Sequence, residues 1–267
     1  MSSGALVDAL GRAALGQDAP VQTGWCMLGD PSLPELYAGA GFKAVVADLQ
    51  HGLMTPYHLA PFARAAGSAD VSALVRLPEG AFGQVGYAFD LGFEAVIFPM
   101  IESAQDAACL VAGGKYPPVG RRSYGPIRAL PASGLSKSDY LARANDRHLL
   151  FAMIETTNAL DNLDAIAATP GLDGLFVGPN DLAISLTAGS KADPGAPQVA
   201  EALDQVIATC KDHNRIPAIY ANTLALASNF AARGFRLIAA GNDMTLLSDA
   251  ARQMRDAFQE GRTHQET

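Results

Sequence analysis

Cysteine is scarce in this chain of 267 residues: Cys26, Cys109 and Cys210 stand far apart, odd in number and with no C-x-x-C among them. That pattern excludes a disulfide framework and a zinc knuckle. Charge is thin as well, at 17% of residues, and its balance is acidic, net −8 with a pI near 5.0. No basic stripe survives that balance, so neither nucleic acid nor an anionic membrane is the expected partner. No apolar run reaches the roughly eighteen residues that a membrane span needs. The first twenty residues mix Asp8, Arg12, Gln17 and Asp18 and do not read as a signal peptide. The expected setting is cytoplasmic. Nucleotide and nucleophile signatures are missing too. No G-x-G-x-x-G follows the first apolar run, and there is no P-loop, no G-x-S-x-G elbow and no H-E-x-x-H.

Aliphatic residues are abundant, with 49% of the chain hydrophobic, and they fall into short runs closed by polar or Gly/Pro punctuation. The runs are 24–28, 44–48, 73–76, 95–99, 149–155, 174–177, 217–220 and 237–240. Continuous apolar runs of that length are the signature of strands buried on both faces. Helix-like segments lie between them, at 34–40, 55–66, 83–91, 103–113, 158–168, 197–213, 224–233 and 245–259. Thr55-Pro56 and Ser103 open two of these, and Gly92 and Gly234 stand where a left-handed cap precedes a strand. Eight β/α alternations in one chain predict an α/β fold of the (β/α)8 TIM-barrel type, as a single domain over 1–267. Residues 1–20 read as an N-terminal helix and 260–267 as a frayed tail. One interval is overlong: 114–148 adds a Pro/Gly/Arg-rich loop and a short helix near 136–144 after the fourth strand, a place where insertions cover or complete active sites.

A barrel gathers its chemistry at the C-terminal ends of its strands. By this reading the second strand ends in Asp48, followed by Gln50 and His51; the third ends in Arg76; the fifth ends in Glu155; and the sixth runs into Gly178-Pro179-Asn180-Asp181. Each residue also has a plainer role. Asp181 could cap a helix, Glu155 could sit in a structural ion pair, His51 could be a loop histidine, Asp48 could hold a turn, and Arg76 could pair with a neighbouring carboxylate. Their convergence on one rim favours chemistry. Two carboxylates without cysteine or a second histidine make a hard, oxygen-only site for Mg²⁺ or Mn²⁺. Asp48 is near enough in sequence to orient the His51 ring, and Arg76 offers a permanent charge to a carboxylate or a developing enolate. The backbone N–H groups of Gly178, Asn180 and Asp181 lie at a helix start suited to a carboxylate. Together they read as proton transfer beside a metal-bound carbonyl. The lysines, among them Lys43, Lys115 and Lys137, fall in loops or helices, so no Schiff-base lysine is expected. No nucleotide and no pyridoxal phosphate are expected either.

The motifs GAGF (39–42), DLQHG (48–52), LVR (74–76), Pro99-Met100 with Glu102, YPP-GRRSYGP (116–126), MIET (153–156) and VGPNDLA (177–183) span most of the chain. In these the chain resembles the class II, metal-dependent pyruvate aldolases of the HpcH/HpaI type. The resemblance implies reversible cleavage of 4-hydroxy-2-oxo acids to pyruvate and an aldehyde. It implies that Glu155 and Asp181 ligate a divalent metal (Mg²⁺, Mn²⁺ or Co²⁺), and that His51, oriented by Asp48, acts as base through water. Arg76 would steady the enolate oxygen, with Gly178, Asn180 and Asp181 on the pyruvate carboxylate. Arg122 would meet the distal end of the substrate, Tyr220 would border the aldehyde pocket or pack the rim, and Asp90 would approach a neighbouring subunit's site. A homo-oligomer is implied, a hexamer built as a trimer of dimers with the last helix exchanged. Gln50 departs from the glutamate common in the family and matches a branch acting on hydroxy-keto acids, as does the RRSYGP loop. Two alternatives are a citrate-lyase-like or malyl-CoA lyase of the same superfamily and an idle barrel kept as a binding module.

Overall fold

The computed structural model describes residues 5–14 and 16–263. Eight parallel strands close on themselves in sequence order. They are β1 (Val21–Cys26), β2 (Ala44–Asp48), β3 (Ser72–Arg76), β4 (Ala95–Phe98), β5 (Leu149–Ile154), β6 (Gly174–Val177), β7 (Ile216–Ala221) and β8 (Leu237–Asn242). The helices follow in chain order: α1 (Ala5–Ala14), α2 (Leu33–Gly39), α3 (Pro56–Ser68), α4 (Val85–Asp90), α5 (Ala104–Gly114), α6 (Ala129–Ser133) and α7 (Lys137–Arg147). After β5 come α8 (Thr157–Asp161), α9 (Leu163–Ala167), α10 (Pro179–Leu186), α11 (Pro197–Asp212), α12 (Leu224–Arg233) and α13 (Asp243–Thr263). The (β/α)8 architecture expected from the apolar runs is the observed one.

Two layers of core hold it. Inside the barrel, Val46, Leu74, Ile97, Phe151, Met153 and Phe176 pack together, with α1 closing the bottom through Leu6 and Leu10. Outside, Val45, Val75, Val96, Leu150 and Ile219 meet the helix faces. The alternation along each strand sends successive side chains to the two layers, which is why the strands read as unbroken apolar runs. β1 departs from expectation: it begins at Val21, because exposed Gln22 interrupts the run while Val21 and Thr23 face inward. The long helix expected over 158–168 is two short ones, α8 and α9, broken at Asn162. Gly92 takes φ +95° ahead of β4, where a side chain would be strained. In the 114–148 insertion, the short helix expected near 136–144 is α7, and α6 precedes it. The N-terminal helix occupies Ala5–Ala14, and α13 runs through Thr263, so the 264–267 part of the expected tail lies outside the described residues.

Candidate active site

At the C-terminal ends of the strands a cleft of about 270 Å³ is lined by Asp48, His51, Arg76, Glu155, Asp181 and Tyr220, with Trp25 and Phe176 beneath. Gly178 and Asn180 border it as well. Apart from Asp90 and Arg122, the residues singled out in the sequence therefore converge on one rim.

Asp48 and Arg76 are partners in the β2–β3 register. Arg76 donates from Nε to Asp48 Oδ1 at 2.9 Å and from Nη2 to Oδ2 at 2.6 Å, a bidentate pair in which Asp48 is fully buried. Trp25 Nε1 donates to the same carboxylate at 3.1 Å, and the guanidinium lies 4.9 Å from the Trp25 ring centroid. Burial works to raise the Asp48 pKa, but the Arg76 hydrogen bonds and charge, with Trp25 and the Gln50 N–H, outweigh it and hold the carboxyl below its ordinary value. The plainer role for Arg76, partner of a neighbouring carboxylate, is thus what Asp48 supplies, and the pair faces the cleft together.

His51 is exposed at the cleft mouth. Its expected orientation by Asp48 is corrected here: Asp48 Oδ1 accepts the backbone N–H groups of Gln50 (3.0 Å) and His51 (3.3 Å), not the ring. The short spacing places Asp48 at the head of a tight turn, where its carboxylate satisfies the turn backbone and has Arg76 for its charge partner. Gln50 Oε1 is buried with no hydrogen-bond partner among the described residues.

Glu155 follows β5 and is 3% exposed. Its Oε2 accepts the Met100 N–H at 3.0 Å, delivered by a residue in the left-handed region, φ +53°. Gly178 is required beside it, since a Cβ there would stand 2.5 Å from Glu155 Oε1. Burial first, and the Asp181 charge after it, raise Glu155 to about 7, against the Met100 N–H and Arg76. Asp181 sits exposed in the first turn of α10. Glu102 steadies the β5 end by accepting from Thr156 Oγ1 (2.8 Å) and Asn158 Nδ2 (3.2 Å). Two converging carboxylates, one buried and carrying its neighbour's repulsion, form a donor pair that a divalent cation would relieve. Among the described residues no group of three or more His, Cys, Asp or Glu could hold a metal, so water and substrate oxygens would have to complete the shell of a hard cation. The residues present fit that group.

Three features of the rim escaped the sequence reading. Tyr220 Oη accepts from Asn242 Nδ2 at 3.1 Å, and the Tyr220 ring packs edge-on to Trp25 with centroids 5.3 Å apart. Asn180 and Asn222 exchange amide hydrogen bonds of 3.3 and 2.9 Å across α10 and β7. Asp243 accepts the Met27 and Leu28 N–H groups at 2.9 and 3.0 Å, tying the β8 end to the β1 end. Amides carry no titration signal and Trp25 reads as core; the sequence signal that could have marked this rim is Gly241-Asn242-Asp243, which closes β8 and opens α13.

Arg122 and Asp90 lie elsewhere. The Arg122 guanidinium is buried, bound to Asp90 Oδ1 at 2.6 Å and to His148 Nδ1 at 2.9 Å, and lies against the Phe89 and Tyr116 rings. Within one chain it does not line the cleft. Its aromatic and acidic neighbours explain why: the insertion folds back on α4 rather than over the strand ends.

The family model described as HpcH/HpaI aldolase/citrate lyase matches residues 23–250. A 4-hydroxy-2-oxovalerate aldolase of Novosphingobium aromaticivorans is 37% identical, over 87% of this chain and 87% of its own length. A hydroxypyruvate/pyruvate aldolase of Deinococcus radiodurans is 34% identical, over 88% of this chain and 84% of its own. The crystal structure of a HpcH/HpaI aldolase/citrate lyase family protein from Burkholderia cenocepacia J2315 superposes with a TM-score of 0.83 at 33% identity, covering 95% of this chain and 99% of that one. Strand-end carboxylates, a guanidinium locked to a buried aspartate and relatives that are themselves aldolases agree: the chain belongs to the HpcH/HpaI aldolase/citrate lyase family and is an aldolase.

Proposed function

We propose that this aldolase reversibly cleaves 4-hydroxy-2-oxo acids to pyruvate and an aldehyde with the help of a divalent cation held by Glu155 and Asp181. The observation that carries the reading is the buried Glu155 beside Asp181, with the Arg76–Asp48 pair lining the same cleft. The cation supplies polarisation of the 2-oxo group and a counter-charge to its developing negative oxygen. The protein's residues do the rest. The N–H groups at the start of α10, at Asn180 and Asp181, with Gly178 leaving room, orient the substrate carboxylate. Arg76 has N–H donors left over from Asp48, and these steady the oxygen that becomes negative as C3–C4 breaks. His51, at the open mouth, receives the C4 hydroxyl proton through water. The C3–C4 electron pair moves into the enolate, the aldehyde leaves past Tyr220 and Asn222, and protonation at C3 yields pyruvate.

The same reading includes a homo-oligomer. α13 leaves the barrel with Leu247, Met254 and Phe258 exposed at 64%, 77% and 68%, spaced along one helical face. An apolar groove edged by Pro20, Leu224, Ala227, Ala231 and Ile238 lies open between β1, β8 and α12. A second copy's α13 is the occupant proposed for it, and Asp90 is assigned to a neighbouring copy's cleft in that assembly.

Deuterium exchange into the pyruvate methyl group, followed by NMR in D₂O, tests the reaction without choosing an aldehyde. Exchange that requires Mg²⁺, Mn²⁺ or Co²⁺ and disappears in Glu155→Ala is the expected result. No exchange with any of these metals would overturn the pyruvate reading.

A further inference from the structure

At the opposite end of the barrel, beside the starts of β3 and β4, a second cavity of about 260 Å³ opens between α3, α6 and α7. Arg64, Arg128 and Arg147 all line it, and none of the three is in an ion pair among the described residues. Arg128 is held in place by neutral groups: Nη1 donates to Leu91 O at 2.8 Å and Nη2 to Ala63 O at 2.9 Å. Carbonyls satisfy N–H groups but cancel no charge. Burial, and then the Arg64 charge beside it, lower the Arg128 pKa, which places two guanidiniums within reach of one another's field. Gly92 makes the packing feasible, since a Cβ there would stand 2.8 Å from Arg128 Nη1.

One carboxylate, Glu94, also lines this cavity, and its Oε2 accepts the Leu6 N–H of α1 at 3.2 Å. Neutral donors complete the lining. Ser68 borders the cavity, and so does His148, which is 7% exposed. Arg122 donates to His148 Nδ1, so the ring proton sits on Nε2, and no described residue accepts a hydrogen bond from it. An acidic chain, net −8, thus gathers three guanidiniums against one carboxylate, together with a buried imidazole N–H, around one cavity. At roughly 30 Å³ per water molecule, that space suits a solute of fewer than about ten heavy atoms.

We propose that this cavity is a binding site for a small dianion, a phosphate or a short dicarboxylate, separate from the cleft and on the other face of the barrel. Arg64 and Arg147 clamp the anionic oxygens, Arg128 supplies the fixed central charge, and Ser68 and His148 donate to what remains.

Isothermal titration of the full-length chain with inorganic phosphate and, separately, with malonate, each at constant ionic strength set with sodium chloride, tests this. The expected result is saturable binding of one anion per chain that is unchanged in the double variant Asp48→Ala/Arg76→Met, which removes the cleft's own guanidinium together with its buried partner. Charge-assisted hydrogen bonds imply that Arg64→Gln and Arg147→Gln each weaken it by at least about tenfold. Both positions are at least partly exposed, and unchanged unfolding temperatures without anion would show that the variants fold. Binding of phosphate alone or of malonate alone assigns the source of the dianion. No saturable binding of either probe overturns the proposal, as does binding lost in Asp48→Ala/Arg76→Met but kept in Arg64→Gln and Arg147→Gln.

Discussion

Arg76 and Asp48 occupy paired positions on adjacent strands, and the guanidinium of one closes on the carboxylate of the other at 2.9 and 2.6 Å. Both are buried, so each is the other's main compensation for leaving water. The pair fixes the direction in which Arg76 presents its remaining N–H groups to the cleft.

Asp48→Ala should therefore cost about 3–5 kcal/mol in urea unfolding, because it strands a buried cation. The double variant Asp48→Ala/Arg76→Met should regain much of that loss. Arg76→Lys keeps the charge but not the fork, and kcat/KM for cleavage should fall about 10²–10³-fold, the range for losing one oxyanion donor. Additive stability losses in the double variant would show that the two side chains do not compensate each other.

The barrel was legible because its strands are buried on both faces and read as apolar runs, from Ala44–Asp48 through Gly174–Val177. Asp48, Arg76, Glu155 and Asp181 were legible because charged residues at the ends of such runs are conspicuous. What lies across the chain was not. Asp48 takes Trp25 and Arg76 as partners through the closed sheet, while sequence proximity pointed to the His51 ring. Asn222 and Asn242 act through contacts with Asn180 and Tyr220 that only the β6–β7–β8 neighbourhood creates. Arg122 looked like a loop residue free to reach substrate, and its burial against Asp90, Phe89 and Tyr116 depends on how the insertion folds back.

Tyr220 and Asn242 offer a test of which side of the cleft meets the aldehyde. Asn242 donates to Tyr220 Oη, leaving the phenol proton for a substrate oxygen. Tyr220→Phe should raise the KM for the aldehyde in condensation assays by about 2–10-fold, the worth of one neutral hydrogen bond. Pyruvate methyl exchange should stay at the wild-type rate. A matching fall in exchange would move Tyr220 to the pyruvate side.

The exposed face of α13 makes a prediction about assembly. Leu247, Met254 and Phe258 form an apolar stripe on a helix that makes few contacts with its own barrel. Met254→Glu/Phe258→Glu should shift the species seen by sedimentation velocity to the monomer, with the far-UV circular dichroism unchanged. A wild-type chain that already sediments as a monomer at micromolar concentration would remove α13 as an exchange element.

Glu155 ties stability to function in a way that pH can separate. Its folded pKa, raised to about 7 from an ordinary 4.5, means that the metal-free folded protein holds a proton which the unfolded chain gives up. Stability from this group is complete below about 4.5 and is lost as pH rises through about 7. The shift corresponds to at most about 3 kcal/mol at pH 8. Glu155→Gln removes the ionisation but keeps an acceptor for the Met100 N–H. In urea melts of the metal-free proteins, the variant should match wild type near pH 4 and exceed it by up to that amount at pH 8. Adding Mg²⁺ or Mn²⁺ at pH 8 should reverse the order, because only the wild type offers the cation two carboxylates, and the variant should be inactive. Parallel stability curves from pH 5 to 8 would mean that Glu155 is ionised in the metal-free fold, and that its burial beside Asp181 is compensated by something other than a proton or a cation.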